Sequence, residues 1–341
     1  MQDARVFYHF RTSLGNAMDE ARPNPSQDIA PPPPDAGANA PTPALLSAQP
    51  PAHNLFLGPA GLRPGWRIFL YLGMGVILFL ILSSFRHLIP SRDAGYLWQE
   101  LYMEMVLVVS SLVPAFLMAR VEKRQFCSYG LPLRQARGKW FCIGLVWGIV
   151  ALSGLILLIH LAGDFSYGHL VLHKVRILKF AAFWALYFSL VGIFEEFTFR
   201  GYTQFTLTQA IGFWPAAFIL SFVFGALHLI GNVGETWIGS LCAALIGLFF
   251  CFTLYRTGSL WFAVGMHASW DWAESYLYSV PDSGEIIPGH LINSSFHGSR
   301  WLTGGSVGPE GSVLVFVVIA VVWMVFALSY PAKRAPESRV S

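Results

Sequence analysis

The stretch KFAAFWALYFSLVGIFEEFTFR, residues 179–200, decides how the chain is read. As a helix it is long enough to cross the roughly 30 Å of hydrocarbon in a bilayer. It is apolar until its last turns, where Glu195, Glu196 and Arg200 enter. Working outward, stretches of the same length and character recur at roughly 67–86, 100–119, 140–162, 213–231, 236–256, 259–279 and 312–330. The 341 residues are 55% hydrophobic and only 12% charged, whereas soluble domains carry about 25% charged residues. The pattern predicts an all-α fold, a polytopic membrane bundle of about eight transmembrane helices in contact with lipid. A formal charge of +3 gives no reason to expect a nucleic-acid partner.

Residues 1–62 are of another composition. Pro31 to Pro34 form a proline run, with Ala, Pro, Ser and Asn around it. Such a segment buries too little apolar surface to offset its ordering entropy, so a disordered, locally polyproline-like tail is expected. The organisation expected is this tail, a transmembrane domain over 63–331 with its motif core at 180–275, and a short tail at 332–341. No basic start leads directly into an apolar run, so no cleaved signal peptide is expected. Cys127, Cys142, Cys242 and Cys251 lack CxxC spacing and read as packing residues. The fourth helix should run on past Arg200 through Tyr202 to Ala210, because nothing breaks it before Gly212 and Pro215. The 280–311 stretch is rich in Gly, Ser, Pro and Asn and reads as a loop. The 120–139 segment carries Arg120, Lys123, Arg124, Arg134, Arg137 and Lys139. By the positive-inside rule it faces the cytoplasm, and with eight spans both termini do so as well. A bacterial inner membrane is the compartment expected.

Ionisable groups at membrane depth are costly and face the bundle interior or a water-filled cavity. Here they concentrate in three stretches: Glu195, Glu196 and Arg200; Phe224 with His228; and His267 with Asp271. Glu196 and Arg200 are four residues apart, on one helical face, where they can form an ion pair that fixes the helix. Glu195 is turned about 100° away and is left without that partner, which suits a general base. The helical hairpin should turn at Ile211-Gly212. If both helices are straight, Glu195 and His228 then reach the same depth, where a carboxylate and an imidazole could share one water. The polar run Thr203, Gln204, Thr206, Thr208 and Gln209 suggests that the hairpin protrudes from the membrane. His267 and Asp271, again four apart, allow the carboxylate to set the imidazole tautomer, or both to face a substrate oxygen. His160 and Glu104 lie near span ends and read as interfacial.

At these residues the chain resembles the CAAX-protease and bacteriocin-processing family of intramembrane proteases. That family shows Glu-Glu-x-x-x-Arg, then Phe-x-x-x-His, then His-x-x-x-Asn or a close variant. Here these stand as Glu195, Glu196 and Arg200; Phe224 and His228; His267 and Asp271. The resemblance implies eight transmembrane helices around a cytoplasm-facing cavity, and peptide hydrolysis without a covalent intermediate or a metal cofactor. It implies that Glu195 and His228 activate a water, and that His267 and Asp271 stand where the oxyanion is stabilised. The substrate implied is a peptide or lipidated protein, with a prenylated CAAX C-terminus as the best-known class. Asp271 stands where the family often has Asn. An ionised carboxylate would repel an oxyanion, so either Asp271 is protonated or it only orients a cationic His267.

Three readings stay open beside this one. Glu195, His228, His267 and Asp271 are all residue types that ligate zinc, although the chain has no HExxH helix. Intramembrane Glu, His and Asp also build proton relays in carriers, and a binding or immunity protein could keep the same motifs. The sequence is silent on oligomeric state.

Overall fold

The computed structural model describes residues 55–58, 61–90, 95–132, 138–232 and 234–331. Nearly all of the segment expected as an N-terminal tail, and the whole C-terminal tail at 332–341, lie outside these residues. The chain divides into two units, Met1–Arg63 and Pro64–Ser341. In the first, strand β1 (Leu57–Gly58) pairs antiparallel with β2 (Gly61–Leu62).

The second unit is a helical membrane bundle, as the apolar runs predict. It contains α1 (Pro64–Ser83), α2 (Gly95–Val121), α3 (Lys139–Leu161), α4 (Val175–Glu196), α5 (Gln204–Ile211), α6 (Phe213–Gly231), α7 (Trp237–Thr257), α8 (Trp261–Asp271), a short α9 (Arg300–Thr303) and α10 (Val315–Ser329). A wide π-helical turn, Phe197–Thr203, joins α4 to α5, and a second one, Trp272–Leu277, extends α8. All eight expected spans correspond to helices. Among the described residues, six helical stretches are long and apolar enough to cross a bilayer, the longest being Val175–Ile211. The other two, α8 with its π turn and α10, are shorter. Pro64 opens α1 at a position where the missing N–H costs nothing. The hairpin between the fourth and fifth spans turns at Gly212 as expected, and its φ of +86° explains why glycine is needed there.

Lipid tails are as apolar as leucine, so helices in a membrane associate chiefly through close packing of small residues. The tightest seam is between α3 and α8. A Cβ on Gly144 would lie 2.3 Å from the Phe262 carbonyl oxygen, one on Gly148 2.3 Å from that of Met266, and one on Gly265 2.3 Å from that of Phe141. The two helices therefore run parallel with their backbones nearly touching. This contact fixes the axial position of α8, which carries His267 and Asp271. Phe249, Phe262 and Phe326 close the core around α7, α8 and α10 with ring separations of 4.9–6.3 Å.

One end of the bundle is pinned by polar groups. The Arg67 guanidinium donates to both oxygens of Glu122, and it donates to Gln209 at 2.7 Å. Glu122 also accepts from Tyr202 at 2.6 Å and Tyr129 at 3.1 Å. The opposite end is closed by the segments between α3 and α4 and between α8 and α10, where β3 (Phe165–Ser166) pairs antiparallel with β4 (Ser295–Phe296).

Candidate active site

The π-helical turn after α4 has backbone consequences. Within it Gly201 takes ψ −107°, outside the helical range. Wide turns of this kind re-aim side chains and recur at functional sites. Around it, Glu196 and Arg200 form the expected pair at 3.3 Å, with both side chains fully buried. The guanidinium lies 4.2 Å from the Phe224 ring, so Phe224 meets Arg200 as a cation–π partner. Gly247 on α7 makes room for it: a Cβ there would sit 2.0 Å from an Arg200 terminal nitrogen.

Glu196 does more than pair with Arg200. Its Oε1 also accepts from His267 Nδ1 at 2.9 Å. A carboxylate can only accept in this bond, so Nδ1 carries the proton. The other imidazole nitrogen, Nε2, faces Glu195 Oε2 at 3.6 Å and Asp271 Oδ2 at 3.5 Å. The two glutamates, expected on different sides, thus converge on one imidazole from α8. Asp271 stands beside His267, but the hydrogen bond that sets the tautomer comes from Glu196. Phe250 stacks on the ring at 6.0 Å and holds its plane. Glu195 Oε2 is buried and has no hydrogen-bond partner.

His228 makes no direct hydrogen bond or ion pair with this group among the described residues. Its Nδ1 donates to the Phe224 carbonyl at 2.9 Å, which leaves Nε2 free to accept a proton. Among the described residues no hydrogen bond or ion pair joins it to Glu195. The expectation of equal depth rested on two straight helices. The π-helical turn and the kink at Gly201 rotate and displace everything before them, so counting residues from Gly212 does not fix the facing partner. His228 does share a cavity with His267 and Asp271. Phe224, Phe250, Trp270 and Glu310 also line this cavity. Its walls come from the last turns of α6, the first half of α7, α8 and the segment before α10. It therefore sits in the half of the bundle opposite the basic 120–139 segment. On the expected orientation that half is the one away from the cytoplasm, which differs from the cytoplasm-facing cavity that the resemblance implies.

Two acidic residues of this region carry no sequence signal of their own. Glu310 lies in a 3-10 turn, Pro309–Gly311, inside a stretch that reads only as loop. Burial and then the Asp282 carboxylate push its pKa up to about 8. Burial pushes Asp282 up to about 6, partly opposed by the hydrogen bond from Ser275. Glu104, read as interfacial, accepts from the Tyr187 hydroxyl at 3.4 Å and lies within electrostatic reach of Glu195.

Among the described residues, the carboxylates whose oxygens come close enough to hold a metal are Glu274, Asp282 and Glu310. The four candidate zinc ligands are not brought together in this way. No curated protein and no solved structure matches the chain. Residues 177–273 match the family model described as Rce1-like, type II CAAX prenyl endopeptidase. That segment contains all seven motif residues, so the resemblance to the CAAX-protease family holds over the helices that build the site.

Proposed function

We propose that the chain is an intramembrane endopeptidase that hydrolyses a peptide bond with a water activated by Glu195 and His228. The observation that carries this reading is the buried Glu195 Oε2, which has no hydrogen-bond partner beside His267. An orphaned carboxylate oxygen at membrane depth is retained at a cost, and a water is the acceptor's natural partner. Glu195 takes one proton from that water, and the hydroxide adds to the scissile carbonyl. His267 in its doubly protonated form donates Nε2–H to the developing oxyanion while Nδ1–H stays on Glu196. One such donor is worth about 2.7–4 kcal/mol in the transition state. Asp271 holds His267 rather than facing the oxyanion, because an ionised carboxylate would repel it. Glu195 or His228 then passes a proton to the leaving amine as the C–N bond breaks.

The Rce1-like match supports a peptide substrate, with a prenylated CAAX C-terminus as the first class to try. Such a lipidated substrate would reach the site from the bilayer. The reading needs no metal. Proteolysis by the purified protein should disappear in Glu195→Ala and His228→Ala while both variants stay monodisperse in detergent. Full activity in both variants would refute the assignment.

A further inference from the structure

Glu274 sits on the π-helical turn that follows Asp271, and it has no place in the proposed hydrolysis. It is fully buried, and neither carboxylate oxygen has a hydrogen-bond partner. The charges that act on it most strongly are other carboxylates, those of Glu310, Asp282 and Asp271. One oxygen each from Glu274, Asp282 and Glu310 lie within 4.8 Å of one another. Three separate parts of the chain meet here: the end of the α8 helix, the turn at 282, and the 3-10 turn before α10.

The backbone is shaped around the same point. Gly308 takes φ +111°, and a Cβ there would lie 1.9 Å from the Pro281 carbonyl oxygen and 3.2 Å from Glu274 Oε1. Glycine at 308 thus lets the two loop strands close over the Glu274 carboxylate. Asp282 is tied in by Ser275, whose hydroxyl donates to it at 3.0 Å. The Trp270 indole N–H lies close to both Glu274 and Glu310 without reaching full hydrogen-bond geometry with either.

We infer that Glu274, Asp282 and Glu310 form a binding site for a hard divalent cation of the calcium or magnesium class. All-oxygen, carboxylate-rich donors select such ions over zinc or copper. The cation satisfies the orphaned Glu274 oxygens and offsets the repulsion among the three carboxylates, on two of which the His267 imidazole also acts. Glu310 also lines the cavity that His228, His267 and Asp271 share, which gives the ion a way in. Bound there, it would clamp the segment before α10 onto the end of α8 and so hold one wall of the cavity. The site stands independently of the proposed hydrolysis, and its test needs no turnover.

The test is titration of the purified, chelator-stripped protein in detergent with CaCl2, MgCl2 and MnCl2 separately, read by calorimetry, by Mn2+ resonance and by thermal unfolding. The wild type should bind one ion per chain and melt higher in its presence. Glu274→Gln, which keeps shape and volume, and Glu310→Gln should each weaken binding by roughly tenfold or more and lose the thermal shift. Glu285→Gln, an exposed neighbour, should change neither. Absence of binding by the wild type at millimolar concentrations of all three ions would overturn the inference. So would undiminished binding in Glu274→Gln.

Discussion

Gly247→Ala tests whether Arg200 is held as rigidly as the geometry requires. The added Cβ would lie 2.0 Å from an Arg200 terminal nitrogen, and ordinary contact begins at 3.4 Å, so the guanidinium must retreat by about 1.4 Å. In most places the end of an arginine would swing aside. Here the side chain is fully buried, with the Phe224 ring at 4.2 Å, the Phe199 ring at 5.7 Å and Glu196 at 3.3 Å. Forcing a methyl into such packing costs about 1–3 kcal/mol, and weakening a desolvated cation–π contact adds up to about 2 kcal/mol. Replacing glycine in a helix returns about 1 kcal/mol. The net loss should be about 2 kcal/mol, visible as a melting temperature several degrees lower in detergent. Because Glu196 joins Arg200 to His267, turnover should fall as well, by about 100-fold if the imidazole moves by an ångström. The control is Gly154→Ala on α3, where nothing lies within 4 Å of the new Cβ and neither property should drop. A Gly247→Ala protein that melts and cleaves like the wild type would refute the argument for a locked guanidinium.

Other outcomes follow from the same geometry. Arg200→Ala leaves the buried Glu196 with His267 as its remaining partner, so it should lose up to about 3–5 kcal/mol of stability; a normal melting curve would count against the ion pair. Folded-state pKa values raised to about 6 at Asp282 and about 8 at Glu310 make the folded state hold protons that the unfolded chain releases near pH 4. Metal-free protein should therefore lose stability as pH rises from about 4 to about 8, and Glu310→Gln should flatten the upper part of that fall. A melting temperature that climbs over this range would contradict the burial of these carboxylates.

Much of the fold was legible because each span advertises itself locally. Residues 139–161 and 213–231 are bounded within a residue or two by the onset and loss of apolar character. The turn at Gly212 followed from one glycine and one proline. The spans near 259–279 and 312–330 read as full crossings, yet their helices are short, because a neighbouring π-helical turn and the loop before α10 take up part of the apolar run. The Glu196–Arg200 pair was readable from i, i+4 spacing, since both partners lie on one helix. The bond from His267 to Glu196 spans 71 residues, and no periodicity reports such a distance. The Arg67–Gln209 bond spans 142 residues, and the Glu274, Asp282 and Glu310 cluster joins a helix end to two loop turns. Both were hidden for the same reason. The π-helical turn was invisible because FTFRGYT has ordinary helical composition apart from Gly201, and it is the feature that makes a residue count from Gly212 a poor guide to what faces His228.

The most direct measurement is cleavage of a quenched fluorescent, prenylated CAAX peptide by the purified wild type, run beside Glu195→Ala and in the presence of a zinc-selective chelator. The account predicts cleavage that survives the chelator and vanishes in the variant. Cleavage that persists in Glu195→Ala, or that the chelator abolishes and added zinc restores, would contradict it.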